Sequence, residues 1–147
     1  MVIREYRSSD CLETAELFYD TVHTVCAADY TPAQLDAWAP RGRDLAAWNE
    51  SLLAHRSIVA VDRGEIVGFG DIDGTGYLDR LFVSSHRHGE GIGSAICREL
   101  EGSAPGSVSV RASITARPFF EKRGYAVVRR EDVSRLGQLL TSYIMKK

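Results

Sequence analysis

One stretch limits the possible folds more than any other: Leu81-Phe82-Val83-Ser84-Ser85-His86-Arg87-His88-Gly89-Glu90-Gly91-Ile92-Gly93-Ser94. An apolar strand end runs into a turn with glycine at alternate positions, and helical spacing resumes through Ile92, Ala95, Ile96, Glu99 and Leu100. Glycines let backbone N–H groups converge on an anion, and a helix N-terminus adds partial positive charge. On its own the stretch fits a pyrophosphate cradle and equally a purely structural turn. Two familiar phosphate folds are excluded. A Walker loop ends in Gly-Lys-Ser/Thr, which is absent. A Rossmann unit needs its turn near the start, with an acidic residue about twenty positions on. Here several strands and helices come first, and Ser107 to Arg111, at that distance, holds no acid.

The rest of the chain surrounds that turn with strands and helices. Val2 to Tyr6 alternates apolar and charged residues, as a half-buried strand does. From Ser9-Asp10 onward, Leu12, Ala15, Phe18, Tyr19, Val22 and Val25 recur at helical spacing. Thr31-Pro32-Ala33-Gln34 predicts a second helix, with Thr31 as cap and Gln34 closing a capping box. Leu45, Trp48, Leu52 and Leu53 predict a third. Ser57 to Asp62 and Glu65 to Asp71 read as strands joined at Arg63-Gly64, and Tyr77 to Val83 as another after Gly74-Thr75-Gly76. Ser107 to Arg111 reads as a strand and Ala116 to Arg123 as a short helix stopped by Gly124. Tyr125 to Arg129 and Leu139 to Met145 close the chain as strands. This order predicts a single α/β domain over residues 1–147, with a mixed, partly antiparallel sheet and helices on both faces.

Composition sets bounds on function. A hydrophobic fraction of 44% fits a packed core, and a net charge of -2 without a basic stripe argues against nucleic acid. The N-terminus is charged from Arg4, so no signal peptide is expected, and no apolar run nears the ~20 residues of a membrane span. The cytoplasm is the expected location. Cys11, Cys26 and Cys97 match neither a disulfide framework nor a zinc pattern, and His23, His55 and His86 show no ligand spacing. The expectation is packed, inert thiols at Cys11 and Cys26, which fall on one amphipathic stretch, and no metal.

A second motif lies downstream: Ser113-Ile114-Thr115-Ala116-Arg117-Pro118-Phe119-Phe120-Glu121-Lys122-Arg123-Gly124-Tyr125. Together with His88-Gly89-Glu90-Gly91-Ile92-Gly93 it resembles the GNAT acetyltransferase superfamily, and within it the bacterial YafP-like branch. That family's coenzyme A loop reads Gln/Arg-x-x-Gly-x-Gly/Ala, with His88 departing at the first position. Its downstream motif reads Asn/Ser-x-x-Ala-x-x-Phe-Tyr-Glu-Lys-x-Gly-Phe. The resemblance extends to Tyr30 through Ala39 and Leu140 through Met145, nearly the whole chain. It implies a GNAT fold, with a mostly antiparallel twisted sheet and a splayed strand that holds acetyl-CoA as co-substrate. Backbone groups of Leu81, Phe82 and Val83 would meet the pantetheine arm and the acetyl carbonyl. Those of His88, Gly89, Glu90, Gly91, Ile92, Gly93 and Ser94 would bind the pyrophosphate, with Ser113, Ala116, Phe119 and Phe120 along the same pocket.

Acetyl transfer to an amine needs a base for the amine, donors for the developing oxyanion, and stabilisation of the departing thiolate. Many family members place a tyrosine where this chain has Phe120, which has no proton to give. Phe120 is therefore expected as a wall. Strict alternation would put Tyr77, Asp79, Leu81 and Val83 on one face, and Leu78, Arg80 and Phe82 on the other. Asp79 is read either as a base or relay, or as half of an ion pair with Arg111. Tyr77 is read as a lining aromatic or as an acid or base, and Tyr30 and Trp38 as walls of the acceptor pocket, Trp38 equally as core. The resulting expectation is an N-acetyltransferase acting on a primary amine of a small molecule, as a monomer or homodimer. Its alternatives are an acyl-CoA sensing module with little transfer, and a protein or peptide N-acetyltransferase.

Overall fold

The computed structural model describes all 147 residues. In chain order the elements are β1 (Val2–Glu5), α1 (Cys11–Val25), α2 (Pro32–Trp38), α3 (Leu45–Leu53), β2 (Arg56–Asp62), β3 (Glu65–Ile72), β4 (Tyr77–Val83), α4 (Ile92–Glu101), β5 (Ser109–Ser113), α5 (Arg117–Lys122), β6 (Ala126–Arg135) and β7 (Gln138–Lys146). The predicted order of elements holds throughout. Local chemistry explains the helix starts. Thr31 Oγ1 accepts from Gln34 N–H at 3.2 Å while Gln34 Oε1 accepts from Thr31 N–H at 2.8 Å, closing the capping box before α2. Asp44 accepts from Ala47 N–H at 3.1 Å and caps α3. Ahead of α1, Asp10 receives two bonds from Arg4, at 2.8 and 2.9 Å, and one from Arg7 N–H at 2.9 Å.

The strands form one seven-stranded sheet in the order β1-β2-β3-β4-β5-β7-β6. Every neighbouring pair is antiparallel except β4 and β5. One face packs α1, α2 and α3 through Phe18, Val22, Leu35, Trp48 and Leu52 in one layer with Val59 and Phe69. The other packs α4 through Ile92, Ile96 and Leu100 onto Leu78 and Val110, with Phe120 and Tyr125 completing that layer. Gly68 and Gly70 on β3 let α4 approach the sheet closely. A Cβ at Gly70 would lie 3.1 Å from Ile96 Cγ2, and one at Gly68 would lie 2.9 Å from Ile96 Cδ1.

Two boundaries differ from expectation. β5 begins two residues later than Ser107 and runs to Ser113. β6 and β7 form one long hairpin turned at Leu136-Gly137, both at positive φ. Residues 130–135 of β6 lack the alternation that marks a half-buried strand, because this edge strand is largely exposed on both faces. Backbone pairing and polar cross-strand contacts, such as Thr141 Oγ1 donating to Asp132 at 3.0 Å, hold it instead. No helix is long and apolar enough to cross a membrane.

Candidate active site

β4 and β5 run parallel and pair at only two positions, Tyr77 with Ser109 and Leu78 with Val110. From Asp79 onward they diverge, leaving a gap that opens at the carboxyl ends of both strands, where open α/β sheets take ligands. Ser84 N–H donates to the Val67 carbonyl at 2.9 Å. Backbone polarity alternates along a strand, so Phe82 also faces β3, and the N–H and C=O groups of Leu81 and Val83 face the gap. The Val83 carbonyl is met by the Thr21 hydroxyl at 3.4 Å and His88 Nε2 at 3.0 Å. His88 thereby ties the glycine loop to the strand.

A cleft of about 950 Å³ fills the gap and continues onto the helical face of α1–α3. At one end, Gly89 and Gly91 both have φ +81°, and nothing lies within 4 Å of where their Cβ atoms would be. Gly91 sits at the N-terminus of α4, whose first turn has no side-chain cap. Uncapped N–H groups around open space suit an anion. Gly93 faces Phe119, whose ring lies 3.4 Å from where a Cβ on Gly93 would stand, so Phe119 closes this wall. Ser94, Ser113, Ala116 and Phe120 line the same part, and Phe120 is buried against Phe119 and Tyr125. Glu90 lies outside the lining, where its carboxylate holds Arg87 at 3.0 Å while Arg87 reaches Asp62 at 2.9 Å.

The middle of the cleft corrects the expected alternation of β4. Asp71 pairs with Arg80 and Ile72 with Leu78, so Asp79 is an extra residue, a β-bulge. Leu78 therefore joins Leu81 and Val83 on the α4 face, while Arg80 and Phe82 face α1–α3. The expected ion pair with Arg111 is also replaced: Arg111 binds Glu131 at 2.9 Å, and Asp79 lies 3.4 Å from Arg80 and 4.0 Å from His55 Nδ1. Tyr77 is half-buried, and its hydroxyl makes no hydrogen bond within the protein; the hydrogen bonds of this residue come from its backbone alone. Burial, reinforced by Asp79, pushes the Tyr77 phenol up, so it stays protonated at neutral pH.

The helical end is aromatic. Phe18, Trp38, Trp48 and Phe82 line it, with Phe82 edge-on to Phe18 at 4.8 Å. Trp38 stands edge-on to Tyr30 at 5.5 Å. Tyr30 lines the cleft, but its hydroxyl donates to Thr141 O at 2.7 Å and accepts from Ile114 N–H at 2.9 Å, tying β7 to the end of β5. Arg43 and Arg80 stack on Trp48. Sequence reasoning missed Phe18, Arg43, Trp48 and Arg80, which come from four separate segments and carry no joint motif. His55, which has no partner pattern in the sequence, places its Nδ1 2.8 Å from Asp71. His55, Asp71 and Asp79 bring three ligand-type atoms within 4.8 Å of one another. Arg80 donates to both Asp71 oxygens, at 3.1 and 2.8 Å, so the buried carboxylate of this cluster is paired with a guanidinium. Cys26 and Cys97 are buried, with burial pushing both thiols up, and Cys11 is half-buried.

Comparison with known proteins agrees with this geometry. The family described as "Acetyltransferase (GNAT) domain" matches residues 26–147. The chain is 33% identical over 145 residues to the uncharacterized N-acetyltransferase YafP of Escherichia coli (strain K12), covering 98% of this chain and 93% of that one. A GCN5-related N-acetyltransferase from Rhodopseudomonas palustris superposes with a TM-score of 0.94 at 31% identity, over 99% of this chain and 94% of that one. The PaiA N-acetyltransferase of Thermoplasma acidophilum, solved with coenzyme A, shares the fold with a TM-score of 0.78 at 16% identity, over 99% and 97%. With a splayed β4, a glycine loop on an uncapped helix and a family match across most of its length, this chain belongs to the GNAT acetyltransferase family.

Proposed function

We propose that the chain transfers the acetyl group of acetyl-CoA to a primary amine of a small molecule, by direct attack of the amine on the thioester. The observation that carries this reading is the run of open main-chain surface along the cleft. Open space above Gly89 and Gly91 meets the uncapped start of α4, and the free N–H groups of Leu81 and Val83 follow along the gap. Acetyl-CoA, when bound, supplies the activated thioester. Loop N–H groups from His88 to Ser94 hold its diphosphate, Glu90 through its backbone alone. The N–H groups of Leu81 and Val83 orient the pantetheine arm and the reacting carbonyl, and Phe119 and Phe120 exclude water from that end.

Phe120 removes the hydroxyl that many relatives carry, and Tyr77 takes its role in this reading. Its phenol is protonated, free of protein partners and within the cleft. Asp79, placed by the bulge beside His55, draws the proton from the incoming ammonium, directly or through a water. Tyr30 and Trp38 wall the acceptor pocket. All three cysteines are unpaired thiols, which suits a reducing compartment such as the cytoplasm.

The test is thiol release from acetyl-CoA across polyamines, amino acids, aminoglycosides and short peptides. Transfer to at least one small amine is expected. Tight coenzyme A binding without transfer to anything would favour an acyl-CoA sensor. Transfer confined to peptides would move the acceptor to a protein chain.

A further inference from the structure

The cleft has two arginines without a carboxylate partner, Arg135, exposed on β6, and Arg43, which is half-buried at the acceptor end. Arg43, between α2 and α3, is half-buried and lines the cleft. Its guanidinium lies 4.9 Å from the ring centre of Phe18 and 4.7 Å from that of Trp48. No carboxylate pairs with it: the groups that act on its charge are burial and the like charge of Arg80, and both weaken its hold on a proton. The other half-buried arginines of the cleft are matched, Arg80 by Asp71 at 2.8 Å, Arg87 by Asp62 at 2.9 Å and Arg111 by Glu131 at 2.9 Å. Stacking uses the flat faces of a guanidinium and leaves its in-plane N–H donors free, in a fork that fits the two oxygens of a carboxylate.

Position makes this charge relevant to the acceptor. Phe18, under Arg43, touches Phe82 at 4.8 Å, and Phe82 stands between Leu81 and Val83 on the strand that faces the gap. Two rings in series, Phe18 and then Phe82, link Arg43 to the strand on which the reaction is placed, and Arg43 lines the same cleft as Leu81 and Val83. A molecule that carries both an amine and an anionic group can therefore meet β4 and Arg43 within one cleft.

We propose that Arg43 anchors the acceptor by its carboxylate, and that the acceptor is a free amino acid or a close amino-carboxylate analogue. This rests on the transferase reading above. Aromatic rings around the anchor select for an apolar or aromatic side chain over a highly charged one.

The experiment compares free amino acids with their carboxamides, their decarboxylated amines and their aminophosphonate analogues in the acetyl-CoA thiol-release assay. At least one amino acid should exceed its carboxamide by tenfold or more in kcat/KM. Arg43→Gln should shrink that ratio below threefold through KM rather than kcat, and Arg43→Lys should restore part of it. Tryptophan fluorescence, reporting on Trp38 and Trp48 in the cleft, follows binding of the same compounds to the coenzyme A complex and reads carboxylate preference without turnover. Carboxamides or simple amines binding and reacting as well as amino acids would overturn the proposal. So would an unchanged preference in a folded Arg43→Gln protein. An aminophosphonate that outperforms the amino acid would keep the anion anchor and replace the carboxylate. A chain that neither binds coenzyme A nor releases thiol with any amine, while still binding amino acids through Arg43, would fail as a transferase and leave the anchor standing.

Discussion

The two ends of the cleft are built from different materials. At the α4 end the recognition surface is main chain: glycines without side chains, N–H groups of a first helical turn, and a strand whose neighbour has moved away. At the α1–α3 end it is side chain: Phe18, Arg43, Trp48 and Arg80, brought together from separate elements and stacked on one another. In the proposed function, main-chain recognition reads a feature that every substrate of the class shares, the diphosphate and its arm. Side-chain recognition can change one residue at a time, which is why the proposal assigns the choice of acceptor to the second end.

That division puts the largest effect at the main-chain end, when its open space is filled. Gly91→Glu places a carboxylate at the start of α4, where it occupies the diphosphate position and repels it. Loss of coenzyme A affinity by ~100-fold or more is expected, the size of several charge-assisted contacts at once. Calorimetry on the folded variant checks this, and undiminished affinity would break the assignment.

Next in size is the proton on the departing sulfur. Tyr77→Phe should lower kcat by ~100-fold, within the usual range for a general acid, with little change in coenzyme A affinity. Its companion is Phe120→Tyr. Because Phe120 is packed against Phe119 and Tyr125, an added hydroxyl there is unpaired and should destabilise the protein by ~1–3 kcal/mol without raising turnover. A faster Phe120→Tyr beside an unaffected Tyr77→Phe would move the acid back to the family's usual place. Asp79→Asn should lower kcat by about tenfold while its melting temperature stays close to that of the parent, since the carboxylate is exposed. The reverse pattern would make Asp79 a structural partner of Arg80.

The smallest effect lies outside the cleft and serves as a control on folding. Hydrogen bonds from Arg4, assisted by Arg7 N–H, hold the Asp10 carboxyl below the usual aspartate range. A depressed folded value means that the ionised form contributes stability above the unfolded value, and that this contribution disappears as pH falls through the folded one. Asp10→Asn should therefore lower stability by about 1–2 kcal/mol at neutral pH. The gap between variant and parent, followed by thermal melts, should close below pH ~4.

How far each region was readable from sequence follows from the same contrast. Backbone recognition demands glycine at fixed spacing before a helix, so His88 to Gly93 and its partner motif at Ser113 to Tyr125 announced the fold and the α4 end. The acceptor end left no local trace. Arg43 in a short polar stretch looks like any surface arginine until Phe18 and Trp48, 25 residues before it and five after it, close on its faces. His55 lacked a visible partner because Asp71 lies on another element. The bulge at Asp79 was hidden for a simpler reason. It depends on how β4 registers against β3, and nothing in Tyr77-Leu78-Asp79-Arg80-Leu81 alone reports a partner's register. The outer half of β6 was missed because an exposed edge strand has no apolar face to alternate.

That bulge gives β4 one residue in reserve. Asp71 pairs with Arg80 and Ile72 with Leu78, as they would if Asp79 were absent. Removing Asp79 would restore a plain ladder between β3 and β4 and leave Leu78 in the layer under α4. What such a deletion takes away is the carboxylate beside His55 and Arg80. At this point of the strand, identity is therefore constrained more strictly than length.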